Sequence, residues 1–242
     1  MPRYVILCGS ETIPRTWRTL QSLLSTQDDP CSIVDWSDIS WNTGVDFALD
    51  AIAERIGTHA DTVLVGHSIA GLLLPLLADR LHAMAEIYIA ALIPEAGRSF
   101  FDRIFSDENI FHYDWMIGYN DLQRSKDPLA THRDFLSYHL FHDCPADTVD
   151  SSWVRSDVPI NQIYEFAYPE AQLSRRYRHY VICGDDRSIQ PRWQRIAART
   201  LCGVNRTIIG TGHCPQISNP QVLADLLLTI GARVRATDVI PG

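Results

Sequence analysis

The sequence predicts an α/β fold in which helices cover both faces of a mostly parallel, doubly wound sheet. Short, continuous runs rich in β-branched residues alternate with amphipathic stretches along most of the chain. Such runs are typical of parallel strands buried on both faces, and the alternation predicts helices between the strands. Between about residues 98 and 170 the strands disappear and short helical pieces replace them. We therefore expect a core built from 1–97 and 171–242, with a helical insertion formed by 98–170.

The bounds of each element follow from where the apolar pattern begins and ends. Strands are predicted at 4–8, 32–35, 62–66, 87–91, 179–183 and 205–209. Core helices are predicted at 14–24, 45–56, 69–81, 192–201 and 220–232. Helical pieces of the insertion are predicted at 99–105, 131–140 and 145–153.

The composition restricts the partners that the chain can bind. It has 242 residues, 46% of them hydrophobic and 21% charged, as expected of a globular protein with a substantial core. Its 29 acidic and 21 basic residues give a net charge of −8, which argues against nucleic acid or an anionic membrane. We expect no membrane span and no signal peptide. Six scattered cysteines favour a cytoplasmic location, and a homodimer is left open.

The most informative segment is 62–71, which predicts a buried strand, a turn of small residues and an apolar helix in succession. Ser68 lies between Gly66 and Ala70, a pattern that matches Gly-x-Ser-x-Gly except that Ala70 replaces the second glycine. In this context the pattern indicates a nucleophile elbow, a sharp turn that exposes a serine hydroxyl at the top of a sheet. The alternative is a structural strand-to-helix turn capped by the serine.

A serine hydroxyl becomes a nucleophile when a base removes its proton, and that base is usually a histidine oriented by a carboxylate. On an elbow of this kind, the acid and then the histidine follow the serine, each after a strand. The strand at 179–183 is followed by Asp185 and Asp186, and the strand at 205–209 by a glycine-bounded loop with His213. We expect His213 to be the base and one of the two aspartates to be the acid.

Other residues are expected to complete the site. The N–H groups of Ile69, directly after the serine, and of Ser10, in the loop after the first strand, are expected to stabilise an oxyanion. The insertion holds more than half of the aromatic residues, which build a small core of their own, line a substrate pocket, or do both. Trp115 and Tyr119 are candidates for the pocket. Glu11 adds a carboxylate that faces solvent, binds a basic substrate or shuttles a proton.

Four segments of the chain carry a resemblance to a known family. They are Leu7-Cys8-Gly9 with Trp17, Cys183-Gly184-Asp185-Asp186 with Gln190-Pro191-Arg192-Trp193-Gln194-Arg195, Gly210-Thr211-Gly212-His213, and Phe141-His142-Asp143-Cys144-Pro145. They resemble the α/β-hydrolase superfamily and, within it, the branch of plant methylesterases, hydroxynitrile lyases and their bacterial relatives. The resemblance implies the α/β-hydrolase fold with the insertion as a lid. It also implies that Asp186, the fourth residue of the run that begins at Cys183, is the acid.

The chain also departs from that branch in its first loop and its histidine loop. Gly9 stands where the hydroxynitrile lyases carry a threonine, and Cys214 stands where they carry a lysine, so cyanohydrin cleavage is not expected. Cys8 replaces the histidine that usually precedes the glycine.

His139 and His142 have helical spacing but no further visible ligands, so we expect no metal and no cofactor.

These observations predict a cofactor-free serine hydrolase that cleaves a carboxylic ester of a small, fairly apolar molecule through Ser68, His213 and Asp186. The same residues also suit a second chemistry, in which His213 removes a proton from carbon. The protein would then be a lyase or cyclase of specialised biosynthesis. A non-catalytic binding protein on the same scaffold is the third alternative.

Overall fold

A six-stranded parallel sheet forms the centre of the protein in a computed structural model, which describes residues 2–10, 12–25, 31–36, 38–59, 61–106, 109–124, 128–151, 159–170, 176–203 and 205–238. The strands are β1 (Arg3–Leu7), β2 (Ser32–Val34), β3 (Thr62–His67), β4 (Ala85–Ile89), β5 (Tyr177–Cys183) and β6 (Arg206–Ile209). Their order in the sheet is β2-β1-β3-β4-β5-β6, and each neighbouring pair is parallel. The predicted α/β class is confirmed.

Helices and 3₁₀ turns connect the strands. They are the 3₁₀ turn Pro14–Trp17, α1 (Arg18–Leu24), α2 (Val45–Ile56), the 3₁₀ turn Ser68–Leu72, α3 (Leu74–Leu81), α4 (Phe100–Ser106), α5 (Tyr113–Arg124), α6 (Pro128–His139), α7 (Thr148–Ser151), α8 (Ile160–Glu165), α9 (Pro191–Cys202), α10 (Pro215–Ser218) and α11 (Pro220–Asp238). Within the described residues, none of these helices combines the length and the apolar character that crossing a bilayer requires.

Several predicted bounds differ from the structure. The predicted helix 69–81 is divided, because the carbonyl of Ser68 accepts the N–H of Leu92 at 3.0 Å and the regular helix begins only at Leu74. The sequence pattern missed α5, α8 and α10, which are short or mix polar with aromatic residues. Part of the predicted helix 145–153 lies outside the described residues, and α7 covers Thr148–Ser151.

Alternate residues of β1, β3, β4 and β5 supply two separate cores. Val5 and Leu7 pack with the residues of α2, α3 and α9, whereas Tyr4 and Ile6 pack with those of α1 and α11. This division follows from the two-residue period of a strand, which turns successive side chains to opposite faces. Both faces are therefore apolar, and for this reason the strands read as continuous hydrophobic runs in the sequence.

The parallel register brings the carboxyl ends of the strands to one edge of the sheet. Leu7 pairs with Gly66, His67 with Ile89, and Cys183 with Ile209. The loops after β1, β3, β5 and β6 start at this edge. In open α/β sheets this is where ligands bind, so the fold alone indicates the position of the site.

The turn after β3 fits against its neighbours because two glycines leave room for it. A Cβ on Gly66 would lie 2.8 Å from the Leu74 side chain, so β3 and α3 could not pack as closely. A Cβ on Gly71 would collide with the carbonyl oxygen of Leu92 and lie 2.8 Å from the Cβ of Ala91. Gly71, one position after the place that the Gly-x-Ser-x-Gly pattern assigns to its second glycine, is the one that this close approach requires.

We expect Gly71→Ala to destabilise the protein by about 2 kcal/mol, because its methyl group overpacks the contact between the turn and the chain after β4. Urea unfolding followed by circular dichroism measures the change. The matched control is Gly210→Ala, since a Cβ at Gly210 meets nothing within 4 Å and Gly210 is exposed. Equal stability of the Gly71→Ala and Gly210→Ala variants would contradict this account.

Candidate active site

Ser68 has a strained backbone at the start of the turn that follows β3. Its φ angle is 55°, in the left-handed region that residues with a side chain rarely adopt. This conformation costs about 1–3 kcal/mol and persists only where the surrounding structure enforces it. A sharp strand-to-helix turn of this kind is the geometry of a nucleophile elbow. The Ser68 residue is 8% exposed and lines a small pocket at the carboxyl edge of the sheet.

The loop after β1 packs directly against this turn. A Cβ on Gly9 would lie 3.0 Å from the Cβ of Ser68 and 2.8 Å from Nδ1 of His67, so Gly9 allows the two backbones to approach. Ser10 and Ile69, the two expected oxyanion donors, both line the pocket with Ser68. Glu11 lies outside the described residues.

His213 and Asp186 meet beneath the same pocket. Nδ1 of His213 donates to Oδ2 of Asp186 at 2.8 Å, and both residues are 2% exposed. The other candidate acid, Asp185, is exposed, and its backbone N–H donates to the carbonyl of Thr211. The structure therefore brings Asp186, and not Asp185, against the histidine. His213 lines the pocket together with Ser68.

The Asp186 carboxylate is buried and accepts hydrogen bonds on both oxygens. Oδ1 accepts the backbone N–H groups of Ser188 and Ile189 at 2.8 and 3.1 Å and the Ser188 hydroxyl at 3.0 Å. Oδ2 accepts Nε2 of Gln194 at 2.8 Å in addition to His213. Burial by itself raises the pKa of the carboxyl, but the interaction with His213 and the bonds from Ser188 outweigh burial and lower the pKa.

Ser188 and Gln194 are the two members of this network that the sequence interpretation missed. The Ser188 hydroxyl lies 3.0 Å from Nδ1 of His213, so the histidine N–H is shared between this oxygen and the carboxylate. A signal for Gln194 was present in the sequence. It is a polar residue within the apolar stripe of α9, whose buried positions also include Trp193, Ala197 and Ala198.

His67 supports the histidine loop. Its Nε2 lies 2.8 Å from the carbonyl oxygen of His213, so that nitrogen carries the proton and donates it. Its ring is 4.8 Å from the His213 ring and packs edge-on against Trp17 at 5.4 Å. Within the described part of the chain, Nδ1 has no hydrogen-bond partner. Burial, together with the neighbouring His213, lowers the pKa of His67 to about 3, so the ring is neutral.

Aromatic residues of the insertion line the pocket together with Ser68. Trp115 stacks on Tyr119 at 5.1 Å and on Phe135 at 5.2 Å. Trp115 also belongs to a small apolar cluster that joins residues of the insertion to Cys214, so it both builds a core and lines the pocket. The cavity measures about 20 Å³, which is room for about one water molecule. Its lining residues are Ser10, Ser68, Ile69, Leu92, Phe111, Trp115, Tyr119, Tyr164, Ser188, Ile189 and His213.

The insertion also bonds to the two loops that carry Asp186 and His213. Nε2 of His112 lies 3.1 Å from the carbonyl oxygen of Asp186, and Nδ1 of His139 lies 2.7 Å from the carbonyl oxygen of Arg187. On the histidine loop, the N–H of Gly212 donates to the Asp143 carboxylate at 2.6 Å. Among the residues that the structure describes, no group of three or more His, Cys, Asp or Glu side chains could hold a metal ion.

A parallel sheet with a strained serine turn after its third strand is the architecture of the α/β-hydrolase class of proteins. The chain belongs to the alpha/beta hydrolase family, because the model of that family matches residues 7–226. The resemblance that the sequence motifs indicate is thereby confirmed at the level of the superfamily.

Individual relatives are esterases by name. The rice protein "Probable esterase PIR7A" (Oryza sativa subsp. indica) is 29% identical over 202 residues, which cover 76% of this chain and 75% of that protein. Polyneuridine aldehyde esterase aligns with a TM-score of 0.68 at 16% identity, over 95% of this chain and 99% of its own. The methylesterase MES16 from Arabidopsis aligns with a TM-score of 0.66 at 14% identity, over 95% and 99%. At such identities the structural likeness shows the fold alone, and a plant methylesterase is among the proteins that share this fold.

The low pKa of His67 predicts how stability depends on pH. Between the folded pKa of about 3 and the unfolded pKa of about 6.5, the unfolded chain binds a proton that the folded protein does not bind. The contribution of His67 to the free energy of unfolding is complete above pH 6.5. It falls by at most about 1.4 kcal/mol per pH unit as the pH drops toward 3. Glutamine keeps a donor for the His213 carbonyl but does not titrate. We therefore expect His67→Gln to reduce the slope of the free energy of unfolding against pH between pH 4 and 6.

Urea unfolding at half-unit pH intervals measures this slope. His179, whose burial lowers its pKa to about 4, contributes equally in both proteins. The control is His59→Gln at an exposed position, which should keep the wild-type slope. If His67→Gln also keeps that slope, His67 is not the buried neutral histidine described above.

Proposed function

We propose that the protein is a cofactor-free serine esterase that cleaves the carboxylic ester of a small, fairly apolar molecule. The observation that carries this proposal is Ser68 at a φ of 55°, in one pocket with a histidine whose Nδ1 is bonded to a buried aspartate. Membership of the alpha/beta hydrolase family and the name of the rice relative support ester hydrolysis as the reaction.

In the first half of the proposed reaction, the Ser68 hydroxyl attacks the ester carbonyl. Nδ1 of His213 is occupied by Asp186 and Ser188, so Nε2 is the nitrogen that accepts the serine proton. The buried Asp186 carboxylate, which stays ionised because its pKa is lowered, stabilises the imidazolium. The oxyanion receives hydrogen bonds from the N–H groups of Ser10 and Ile69, and the loss of one such donor typically costs about 10²–10³ in kcat.

The second half of the reaction returns the enzyme to its starting state. The bond from the carbonyl carbon to the alcohol oxygen breaks, and His213 gives its proton to the departing alcohol. Water then attacks the ester between Ser68 and the acyl group, and His213 takes a proton from this water. The acid leaves, and the proton returns to the Ser68 oxygen.

The pocket supports a small, apolar acyl group. Seven of its eleven lining residues are aliphatic or aromatic, and the other four are Ser10, Ser68, Ser188 and His213. Because the cavity has room for about one water molecule, we propose that the rings of the insertion move apart to admit even a short acyl group. We propose that the insertion acts as a lid that keeps bulk water away from the acyl-enzyme.

We expect Ser68→Ala to lower kcat/KM for p-nitrophenyl acetate by about 10⁴-fold, because the nucleophile is lost while the pocket remains. The wild-type protein should show a burst of one p-nitrophenolate per chain, and a fluorophosphonate should add its mass to Ser68. The control is Ser22→Ala, at an exposed serine whose hydroxyl donates to the carbonyl of Arg18 within α1.

Two outcomes contradict the proposal. Full esterase activity in Ser68→Ala would remove Ser68 from the chemistry. Labelling of Ser68 without any burst would favour the lyase or cyclase alternative, in which His213 acts on a carbon acid and the serine only relays a proton.

The size of the pocket gives a second expectation. Trp115→Ala removes one of the aromatic rings that line the pocket together with Ser68, so the ratio of kcat/KM for p-nitrophenyl octanoate to that for the acetate should rise about ten-fold or more. Steady-state kinetics on an acetate-to-octanoate series measure this ratio. Tyr113→Ala is the control, because Tyr113 lies on the same helix and is 78% exposed. A ratio that stays at the wild-type value in Trp115→Ala would place the acyl group elsewhere.

A further inference from the structure

Gln194 is a fully buried amide in an otherwise apolar setting. It is 0% exposed and lies on the face of α9 that packs against the end of β5. A buried amide costs about 1–3 kcal/mol when it lacks hydrogen bonds. Its presence on this face therefore requires hydrogen-bond partners. The end of β5 and the acid loop, residues 184–190 between β5 and α9, supply them.

Three hydrogen bonds use both N–H groups and the oxygen of the Gln194 amide. Oε1 accepts the backbone N–H of Cys183 at 3.0 Å, at the last residue of β5. Nε2 donates to the carbonyl of Ile189 at 2.9 Å and to Oδ2 of Asp186 at 2.8 Å. The contact with the Cys183 N–H fixes the orientation of the amide, so the NH₂ group must face the carboxylate. Gln194 thus connects Cys183 at the end of β5, the Asp186 carboxylate, and Ile189 near the end of the acid loop.

The carboxylate oxygen that Gln194 contacts is the one that His213 uses. Oδ2 of Asp186 accepts Nε2 of Gln194 and Nδ1 of His213, each at 2.8 Å. Oδ1 is occupied separately by three donors from Ser188 and Ile189. Rotation of the carboxylate would break hydrogen bonds on both oxygens. On Oδ2, Gln194 opposes this rotation together with His213.

We propose that Gln194 is a positioning residue that holds Oδ2 of Asp186 in line with Nδ1 of His213, an inference that rests on the proposed esterase function. Two effects follow from this placement. The amide keeps the carboxylate in the orientation that the imidazolium needs in the transition state. It also takes part of the negative charge on Oδ2, which moderates how strongly Asp186 stabilises the charged form of His213.

Other titratable groups surround the pair, among them His112 and His139, which bond to the carbonyls of Asp186 and Arg187. His67 and His142 have lowered pKa values because of burial, and His67 reaches about 3. Burial raises the pKa of Tyr180, Cys183 and Cys214 well above the usual range, so these groups stay neutral. The Asp143 carboxylate faces the histidine loop through the N–H of Gly212, and Asp185 is exposed to solvent. Arg187 remains a fixed positive charge in the acid loop.

The first test compares Gln194→Met with Gln190→Met. Methionine keeps the length of glutamine without its donors. Gln190 lies four positions earlier at the start of the same helix, and its amide bonds to the carbonyl of Phe111 instead of Asp186. For Gln194→Met we expect kcat on p-nitrophenyl acetate to fall about ten-fold with KM nearly constant, and the acid limb of the pH profile to move up by about half a unit. Gln190→Met should keep the wild-type profile.

The second test uses Gln194→Glu, which keeps the acceptor for the Cys183 N–H. When protonated, the new carboxyl donates to Oδ2 as the amide does, so at those pH values the variant should have the activity of the wild-type protein at the same pH. When ionised, it repels Asp186 and donates nothing, so activity should fall on a new descending limb as the pH rises. The downfield proton NMR resonance of the His213 Nδ1–H should shift in the same pH range. This variant carries the test if Gln194→Met does not fold.

The outcomes separate this inference from the proposed function. If the wild-type protein shows no Ser68-dependent burst, the proposed function fails and the inference fails with it. If the burst is present but Gln194→Met and Gln190→Met give the same pH profile, or Gln194→Glu gains no descending limb, then the function stands and the positioning role is wrong. Circular dichroism and Tm confirm that each compared variant is folded.

Discussion

The left-handed backbone of Ser68 is the constraint on which the site depends. A residue with a side chain adopts a φ of 55° only when its surroundings hold it there, and here they do so by close packing. Gly9 and Gly71 leave space for the neighbouring loops, and the N–H of Leu92 bonds to the Ser68 carbonyl. The consequence is that the loop after β1, the turn after β3 and the chain after β4 converge on one small space at the edge of the sheet.

A second requirement is that a charge be kept where water is excluded. The Asp186 side chain is fully buried, and a buried carboxylate is unstable unless hydrogen bonds replace its hydration. The five donors around it come from three places: the acid loop itself, α9 through Gln194, and the histidine loop through His213. Each donor satisfies part of the charge and also restricts its orientation, so the bonds that make the charge tolerable also fix the geometry of the pair.

The sequence predicted the parts of this arrangement that depend on chain order. The strands and most core helices follow from periodicity, and the order of Ser68, an aspartate at 185 or 186, and His213 follows from which strands are succeeded by polar loops. The choice of Asp186 came from the resemblance to the methylesterase branch. The contacts of Ser188, Gln194 and His112 could not be predicted, because they depend on side chains that meet only after the sheet, α9 and the insertion have packed. Helix α5 was missed because Trp115 and Tyr119 face the pocket while Tyr113 and Ile117 are exposed, which obscures a single apolar face.

The bonds from the insertion to the acid and histidine loops limit how far this scaffold is modular. His112 and His139 hold carbonyls of the acid loop, and Asp143 holds the N–H beside His213. A chimaera that receives the insertion of another hydrolase, in order to acquire its substrate range, would lose these supports along with the pocket wall. Transfer of specificity therefore requires that His112, His139 and Asp143 be retained while the aromatic residues that line the pocket are replaced.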